Sequence, residues 1–538
     1  MADIPTKKNI PNVYKIERDF SSRISPISAL KVASFIESRF GEADYVHTVT
    51  SETDLRTIFG EPEDANATSW FLNERPFHYK VQGIGANMQI IRVVGVGSTN
   101  GALAVEADGT ESTTSTTATI KNRNEIETFL PTFDGTSILK FHTRYQTDEL
   151  FSISVISDAT AFDFNLETDE YAVEVYDKDG VMLTRHFVSL DPTAVDGFGL
   201  PKYIETVINE KDPNIIVFHD TLQTAITGNL VKADITEGVY VAPEKADYLA
   251  SMAEFENVDT HDIQYILAPE VIHNECITLA ETREDCSVRA GIPIADVVGV
   301  SRLTAIGNIQ TYTGTTLNRN TSYMGMGANA VYIDDKYNRK KRWVNIAGDL
   351  IGLRVQQNLR SQAWYSEAGP NYGILKDVIA LAQNWHPLDQ KSLIEAKTNP
   401  IINKRGVGMI VTEQKNYTTK VSALQDQNVR ELINFIWRAG KLYLYFKLHE
   451  FNDIYTRASI ESQFNRFLKN VQDGRGIRRK PDGGDGFIVR CDATNNTEDV
   501  INQNMLVLDL SFLPARVITE IYARLNIYDN SVQLELRG

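Results

Sequence analysis

Two short segments with a strand-like pattern, one near each end of the chain, have no pairing partner close by in the sequence. Their apolar residues are Val13, Tyr14 and Ile16 near the start and Val532, Leu534 and Leu536 near the end. A lone strand exposes its backbone N–H and C=O groups, so it is stable only when it pairs with another strand. The chain is therefore predicted to carry a strand at each end that needs a partner elsewhere.

Composition is typical of a globular protein. The chain has 538 residues, 42% of them apolar and 23% charged, which suits three or four domains of about 150 residues. Cys276, Cys286 and Cys491 are too few and too irregularly spaced for a disulfide scaffold and favour a reducing compartment. No apolar run is long enough to cross a bilayer, and the N-terminal region has no secretory pattern, so neither membrane insertion nor secretion is expected.

Charge is distributed unevenly along the chain. The formal net charge is −17; residues 1–335 hold 25 Lys+Arg against 50 Asp+Glu, whereas residues 336–538 hold 29 against 21. A protein with this acidic balance is not expected to bind phosphates over its whole surface, so direct nucleic-acid binding is not expected. Two short basic segments, 338–343 and 474–486, are more typical of solvated loops or of contacts with an acidic protein.

Local patterns predict a mixed α/β chain. Ser51 and Gly60 are the predicted N-cap and stop of one helix. Residues 88–97 predict a strand, and residues 171–188 predict a β-hairpin around Asp179-Gly180. Further along, apolar periodicity predicts a helix over 429–440 that ends at Gly440 and another over 456–474. Strands are predicted at 441–448, 486–493 and 505–513.

Motifs for catalysis and cofactor binding are each incomplete. The segment 82–88 starts like a dinucleotide loop, but Met88 stands where the third glycine is needed. The segment 297–303 resembles a nucleophile elbow until Leu303 replaces its second glycine. His273 has no second histidine at metal-binding spacing, and no Walker phosphate loop occurs. We therefore expect no catalytic residue, no cofactor and no metal site.

Several segments of the last third resemble, in order, those of the tail sheath proteins of contractile-tailed bacteriophages, especially the T-even type. They include an aromatic, basic and "AGD" segment at 335–352, a W-x-S-x-AG segment at 362–382 and an "NP" turn before a strand at 398–411. The segments that follow are 427–436, 449–460, 467–477, 487–501 and 512–525. The similarity covers 335–538 well and the region up to Gly97 more weakly.

This resemblance implies a multidomain α/β (α+β) fold with a β-rich insertion and extended arms. The implied parts are an N-terminal arm (1–22), the N-terminal part of the sheath core or middle domain (23–97), an outer protruding β-rich insertion (98–200), a middle α/β domain (201–335), the C-terminal sheath core (336–515) and a C-terminal strand arm (516–538). The basic C-terminal part would then lie toward the tube and the acidic insertion toward solvent.

The resemblance also implies a structural, non-enzymatic function. Such subunits form stacked hexameric rings in a helical tube around a tail tube and contract to drive it through the host envelope. The implied partners are further copies of the chain, the tail tube protein, and baseplate and tail terminator or neck proteins. The implied location is the virion, with synthesis and assembly in the cytoplasm of the host bacterium.

Two sets of site residues follow from this resemblance. The terminal strands at Val13, Tyr14 and Ile16 and at Val532, Leu534 and Leu536 would be donated to neighbouring subunits by β-augmentation. The polar face of the helix over 456–472, with Arg466 and Lys469, would face an acidic tube surface.

Two other functions stay open from sequence. The first is the sheath of a non-viral contractile injection system, such as a type VI secretion system or an R-type pyocin. The second, from another class, is a cell-wall glycan hydrolase that uses a carboxylate pair among the many acidic residues of the middle region.

Overall fold

The computed structural model of the protein describes residues 30–112, 115–157, 166 and 169–519. The strands are β1 (Lys31–Glu37), β2 (Val46–Val49), β3 (Asn87–Val93), β4 (Ala102–Glu106), β5 (Ser137–Thr143), β6 (Ser152–Ile156), β7 (Glu170–Tyr176), β8 (Met182–Ser189), β9 (Ile215–His219), β10 (Leu230–Asp234), β11 (Tyr265–Leu267), β12 (Ser287–Gly291), β13 (Met324–Ala328), β14 (Ala330–Asp335), β15 (Lys340–Asn345), β16 (Ala380–Leu381), β17 (Asn399–Lys404), β18 (Gly408–Val411), β19 (Phe487–Arg490) and β20 (Asp509–Phe512).

The helices are α1 (Glu52–Phe59), α2 (Ala67–Glu74), α3 (Arg123–Thr128), α4 (Ile204–Lys211), α5 (Lys245–Met252), α6 (His273–Arg283), α7 (Ile294–Val297), α8 (Arg302–Thr311), α9 (Ala347–Arg360), α10 (Pro387–Glu395), α11 (Gln427–Tyr445), α12 (Ile454–Asp473) and α13 (Glu498–Asn502). No helix in the described part of the chain is both long and apolar enough to span a membrane. The predicted mixed α/β class is confirmed. The described residues divide into two compact units, a small unit of residues 432–515 and a large unit of the others.

An eight-stranded sheet forms the centre of the large unit, in the order β18-β17-β13-β12-β11-β1-β3-β2. All pairings are parallel except those of the two edge strands, β2 and β18. Neighbouring residues such as Val32 and Ala33 belong to different apolar clusters, so the sheet is buried on both faces, as parallel sheets are. Its strands come from 31–93, 265–328 and 399–411, and the sheet thus unites three of the implied segments, whose boundaries stay predictions.

The predicted first helix is confirmed with its caps. The Ser51 hydroxyl accepts the backbone N–H of Asp54, and Gly60 follows the helix with φ of +75°. The strand predicted within 88–97 is β3, and the hairpin predicted around Asp179-Gly180 is β7–β8. In that turn the Asp177 carboxylate accepts the backbone N–H groups of Asp179 and Val181.

The "AGD" segment begins α9, and its aspartate joins this helix to residues near the start of the large unit. The Asp349 carboxylate accepts hydrogen bonds from the Arg75 guanidinium at 2.6 Å and from the Tyr79 hydroxyl at 2.7 Å, and all three side chains are buried. Burial disfavours the charged form of Arg75, but Asp349 outweighs burial and raises the pKa of Arg75. Glycine is required at 348 and 352, because a Cβ there would lie 2.4 Å from the Leu72 carbonyl oxygen and 2.1 Å from the Tyr79 ring, respectively.

The β-rich insertion consists of two sheets, β4-β5-β9 and β10-β6-β7-β8. They share one apolar core, to which Phe141 of the first sheet and Val173 of the second contribute. Because β9 and β10 pair with β5 and β6, the β-rich part extends to Asp234, beyond the predicted boundary at residue 200.

Helix α11 differs from its prediction at its C-terminal end. It continues through Gly440 to Tyr445, so the predicted stop at Gly440 and the predicted strand at 441–448 are both wrong. Glycine at 440 serves close helix packing instead, because a Cβ there would lie 3.0 Å from the Phe464 ring. The spacing of Ile436, Gly440 and Leu444 continues the helical period across this glycine.

Replacing Asp349 with Ala should strongly destabilise the large unit. The substitution leaves the Arg75 guanidinium buried without its carboxylate, which costs about 3–5 kcal/mol. Thermal unfolding monitored by circular dichroism measures the effect. The control is Glu395→Ala, which breaks an exposed Lys391–Glu395 pair of 3.9 Å and should change stability by about 0.5 kcal/mol or less. Equal thermal unfolding midpoints for the two variants would contradict the conclusion that Asp349 stabilises the large unit.

Candidate functional site

The small unit is built on α12 and the part of α11 that follows Glu431. The apolar periodicity that predicts a helix over 456–474 is confirmed in α12, whose buried residues include Ile460, Phe464, Leu468 and Val471. Phe467, at the same helical spacing, is half-buried and stacks on Phe435, with ring centroids 5.9 Å apart. The two helices therefore form a layer, called the helix platform below, that has one apolar face.

A two-stranded hairpin of β19 and β20 covers part of this platform. The strands are antiparallel, with Phe487 opposite Phe512 and Val489 opposite Leu510. Phe487 and Val489 are buried whereas Ile488 is exposed, so one face of the hairpin points to the helices, and α12 contacts β19. The predicted strands at 486–493 and 505–513 are thus confirmed as a pair.

The hydrogen-bond phase of this hairpin leaves the outer edge of β20 open. The backbone N–H of Leu513 donates to the Gly486 carbonyl at 2.8 Å, which makes Phe487–Phe512 and Val489–Leu510 the non-hydrogen-bonded pairs of the ladder. Leu510 and Phe512 therefore direct their backbone N–H and C=O groups away from β19. Neither residue has a further strand beside it among the described residues.

An apolar groove of about 540 Å³ lies beside this open edge. Its walls include Ile433, Ile436, Trp437, Gly440 and Leu444 of α11 and Leu508, Leu510 and Phe512 at β20. Trp437 is 42% exposed, although its indole would be better buried. The groove thus joins uncovered helix surface to unpaired strand backbone, and an added strand would satisfy both.

Two contacts at the groove pair polar groups that lie beside it. Lys447 forms an ion pair with Glu450 at 3.0 Å, and the Asn452 amide donates to the Met505 carbonyl at 2.7 Å. The first contact lies within the turn between α11 and α12, and the second joins that turn to the segment that precedes β20. The site therefore offers shape and backbone hydrogen bonds rather than a charged ligand cage.

The same turn exposes an apolar surface that sequence reasoning missed. Its exposed apolar residues are Leu442, Tyr445, Phe446, Leu448, Phe451, Ile454 and Tyr455. Soluble proteins rarely expose so concentrated an apolar surface unless it binds something. The signal in the sequence is the unbroken apolar run at 442–446, a pattern that is also typical of a strand.

Burial keeps the thiols of two cysteines in their protonated, less nucleophilic form. Burial raises the pKa of the Cys491 thiol to about 11, and it also raises the pKa of Cys276. No cluster of three or more His, Cys, Asp and Glu side chains that could hold a metal occurs within residues 30–112, 115–157, 166 and 169–519. The incomplete dinucleotide loop forms a turn in which the backbone groups of Val81 and Ile84 pair.

The structure describes the two predicted tube-facing residues but not the residues of the two predicted terminal strands. Val13, Tyr14, Ile16, Val532, Leu534 and Leu536 lie outside the described residues. Arg466 is exposed on α12. Lys469 forms an ion pair with Asp485 at 2.5 Å, and its hydrogen bond lowers the pKa of the Asp485 carboxyl. Arg466 thus presents its charge outward, whereas much of the charge of Lys469 is neutralised locally.

Comparison with curated proteins finds sequence relatives of one kind. No protein-family model matches the chain. The tail sheath protein of Vibrio phage KVP40 is 34% identical over 255 residues, which are 45% of this chain and 37% of that protein. The tail sheath protein of Enterobacteria phage T4 is 28% identical over 322 residues, 56% of this chain and 46% of that protein. The chain therefore matches less than half the length of these relatives, and its predicted resemblance to phage tail sheath proteins is confirmed.

Solved structures share the fold. The sheath tail protein of Desulfitobacterium hafniense superposes with a TM-score of 0.55 at 12% identity, covering 93% of this chain and 100% of that one. The helical sheath of the anti-feeding prophage in its contracted state gives 0.52 at 12% identity, covering 97% and 99%. At this identity the similarity shows the fold alone, and the chain has the fold of these sheath proteins.

Proline substitutions should distinguish the two sides of β20. Leu510→Pro removes an outward N–H and should leave the hairpin folded, whereas Ser511→Pro removes an N–H that points to β19 and should open it. Hydrogen exchange at Phe487 to Arg490 measures the difference. Protection should persist in the first variant and fall in the second. Equal loss in both would show that the assigned hydrogen-bond phase is wrong.

Proposed function

We propose that this chain is a structural subunit of a contractile phage tail sheath. It polymerises as stacked hexameric rings in a helical tube around a tail tube, and it contracts to drive that tube through the host envelope. The observation that carries the proposal is the open outer edge of β20 beside the apolar groove. The similarity to proteins named tail sheath protein supports it.

Subunits connect by adding a strand to a neighbour's incomplete sheet. A donated strand on β20 forms backbone hydrogen bonds with Leu510 and Phe512, and its alternate side chains enter the groove. The donors are the terminal strands, with Val13, Tyr14 and Ile16 in one and Val532, Leu534 and Leu536 in the other. Both have the apolar residues that such a groove requires.

Strand exchange suits a lattice that changes length. Main-chain ladders between subunits stay intact while the folded bodies that they connect shift. Contraction repacks the bodies into a larger buried interface, so burial of apolar surface drives it. The extended lattice stores this energy, and neither a nucleotide nor a cofactor enters the step.

The partners beyond the chain itself are a tail tube protein, baseplate proteins and tail terminator or neck proteins. The protein is part of the virion and is made and assembled in the host bacterial cytoplasm. A non-viral contractile injection system would use the same strand exchange, but the relatives from Vibrio phage KVP40 and Enterobacteria phage T4 favour the phage tail.

The tube contact is assigned to the polar face of α12. Arg466 is its leading residue, because its guanidinium is exposed and faces away from the buried stripe. Lys469 contributes less while Asp485 holds its ammonium group. An acidic surface on the tube would complement this face.

Deleting residues 531–538 should abolish polymerisation while the monomer stays folded. The deletion removes Val532, Leu534 and Leu536, which are the apolar side chains of the donated strand. Electron microscopy and sedimentation measure assembly, and circular dichroism measures folding. Leu534→Lys should reproduce the defect, whereas Gln533→Lys, on the opposite face of the same strand, should assemble. Normal striated tubes from the truncated chain would sink the strand-exchange proposal.

Reversing the charge of Arg466 should weaken assembly on the tube and spare tube-free assembly. Arg466→Glu places a like charge against an acidic tube, and the loss should shrink as salt rises. Co-sedimentation with purified tube measures it. Lys469→Glu is the matched comparison and should act more weakly on tube binding, because Lys469 is paired with Asp485. Equal loss of tube-bound and tube-free assembly would point to misfolding and contradict the assignment.

A further inference from the structure

We propose that the small units of successive subunits bind each other head to tail, through a basic loop of one copy and an acidic loop of the next. The basic loop is residues 474–486, and the acidic loop is residues 491–508. The inference rests on the proposed function, because it concerns contacts between copies in the polymer. It adds a second contact to strand addition at β20.

The two loops carry opposite charge. The basic loop holds four Lys+Arg against two Asp+Glu, and the acidic loop holds three Asp+Glu and no Lys or Arg. All of these charged residues are exposed, so each loop presents its charge to a partner. They are Arg475, Arg478, Arg479, Lys480, Asp482 and Asp485 in the basic loop, and Asp492, Glu498 and Asp499 in the acidic loop.

The hairpin of β19 and β20 places the two loops at its opposite ends. The basic loop leads into β19 at Phe487, and the backbone N–H of Arg478 donates to the Leu513 carbonyl just after β20, at 2.9 Å. The acidic loop connects Arg490 to Asp509 at the other end of the ladder. The opposite charges are therefore separated along the strand direction, and the outer edge of β20 lies to the side, where a strand can still be added.

Helix α12 sets the distance between the two loops. Near its C-terminal end the Gln472 amide donates to the Asp485 carboxylate of the basic loop at 2.9 Å. Just before its N-terminal end the Asn452 amide donates to the Met505 carbonyl of the acidic loop at 2.7 Å. The helix has 20 residues and is therefore about 30 Å long. Screening acts over about 8 Å at physiological salt, so the two loops of one unit do not neutralise each other.

Most of the charge in these loops has no local partner. Arg475, Arg478 and Lys480 of the basic loop form no ion pair within the described part of the chain. Glu498 and Asp499 of the acidic loop likewise form none with any residue that the structure describes. These charges are therefore free to pair across a contact between two molecules.

A second copy of this chain is the partner that fits both loops. Every copy brings one loop of each sign, so a head-to-tail contact uses both loops in a repeating way. Such a contact is heterologous: it closes into a ring or continues as a helix, depending on the rotation between neighbouring copies. An acidic partner of another kind would use the basic loop alone and leave the acidic loop without a role.

Charge reversal of each loop in the full-length chain tests the inference. The basic-loop variant is Arg478→Glu with Lys480→Glu, and the acidic-loop variant is Glu498→Lys with Asp499→Lys. Sedimentation measures the lowest protein concentration at which polymer forms. Each variant should raise this concentration at least about tenfold at about 50 mM salt, because like charges replace ion pairs. The increase should shrink at about 500 mM salt.

Mixing the two variants should restore polymerisation. The reversed basic loop of one chain then faces the reversed acidic loop of the other, and a chain with all four substitutions should also polymerise alone. Misfolding or a purely local role of either loop cannot be rescued by a second chain. The matched control is Lys404→Glu with Arg405→Glu, two exposed residues after β17, which changes the net charge as the basic-loop variant does. It should polymerise like the unmodified chain, and an equal defect would overturn the inference.

The other outcomes separate this inference from the proposed function. Normal polymerisation of both variants at low salt would overturn the inference and leave strand addition at β20 as the contact between subunits. Defects that the mixture does not restore would also overturn it, because the two loops would then not face each other. A basic-loop variant that fails only in the presence of the tube would overturn it in favour of tube binding. If the unmodified chain forms no polymer in any of these conditions, both the inference and the proposed function fail.

Discussion

Within the described part of the chain no strand pairs with the outer edge of β20, and the rest of the structure's proposed behaviour depends on this open edge. Two strands do not complete a sheet over two helices, and the hydrogen-bond phase fixed by Leu513 and Gly486 directs the free groups of Leu510 and Phe512 outward. Backbone N–H and C=O groups must form hydrogen bonds once water is excluded. Any partner that fills the apolar groove excludes water from this edge, and a β-strand is the partner that also pairs with the backbone groups. A shape-matched strand, rather than a charged or reactive ligand, is the occupant that this chemistry selects.

A subunit that exchanges strands needs a body that does not unfold under load. The eight-stranded sheet of the large unit is buried on both faces, and the ion pair between Arg75 and Asp349 joins segments that are 274 residues apart in the chain. Gly348 and Gly352 allow the close packing that brings this pair together. The large unit thereby combines a parallel sheet with long-range polar contacts that are costly to break.

Features that depend on a few neighbouring residues could be predicted from sequence. Ser51 and Gly60 delimit α1 by local capping chemistry, and Asp179-Gly180 forms the hairpin turn because its geometry needs a residue at positive φ. The helix stop predicted at Gly440 is wrong because the glycine there serves a tertiary contact. It makes room for the ring of Phe464, which lies on another helix. The groove could not be predicted, since it depends on which edge of β20 remains free. The family resemblance supplied the strand exchange, whereas residue patterns alone indicated only that the terminal strands lacked partners.

Reconstruction of the assembled protein by electron cryomicroscopy would show directly what occupies the outer edge of β20. We expect a continuous strand from another subunit on the outer edge of β20, with backbone hydrogen bonds to Leu510 and Phe512 and with apolar side chains in the groove. An assembled polymer in which that edge stays solvent-exposed, or is covered by side chains alone, would contradict the account.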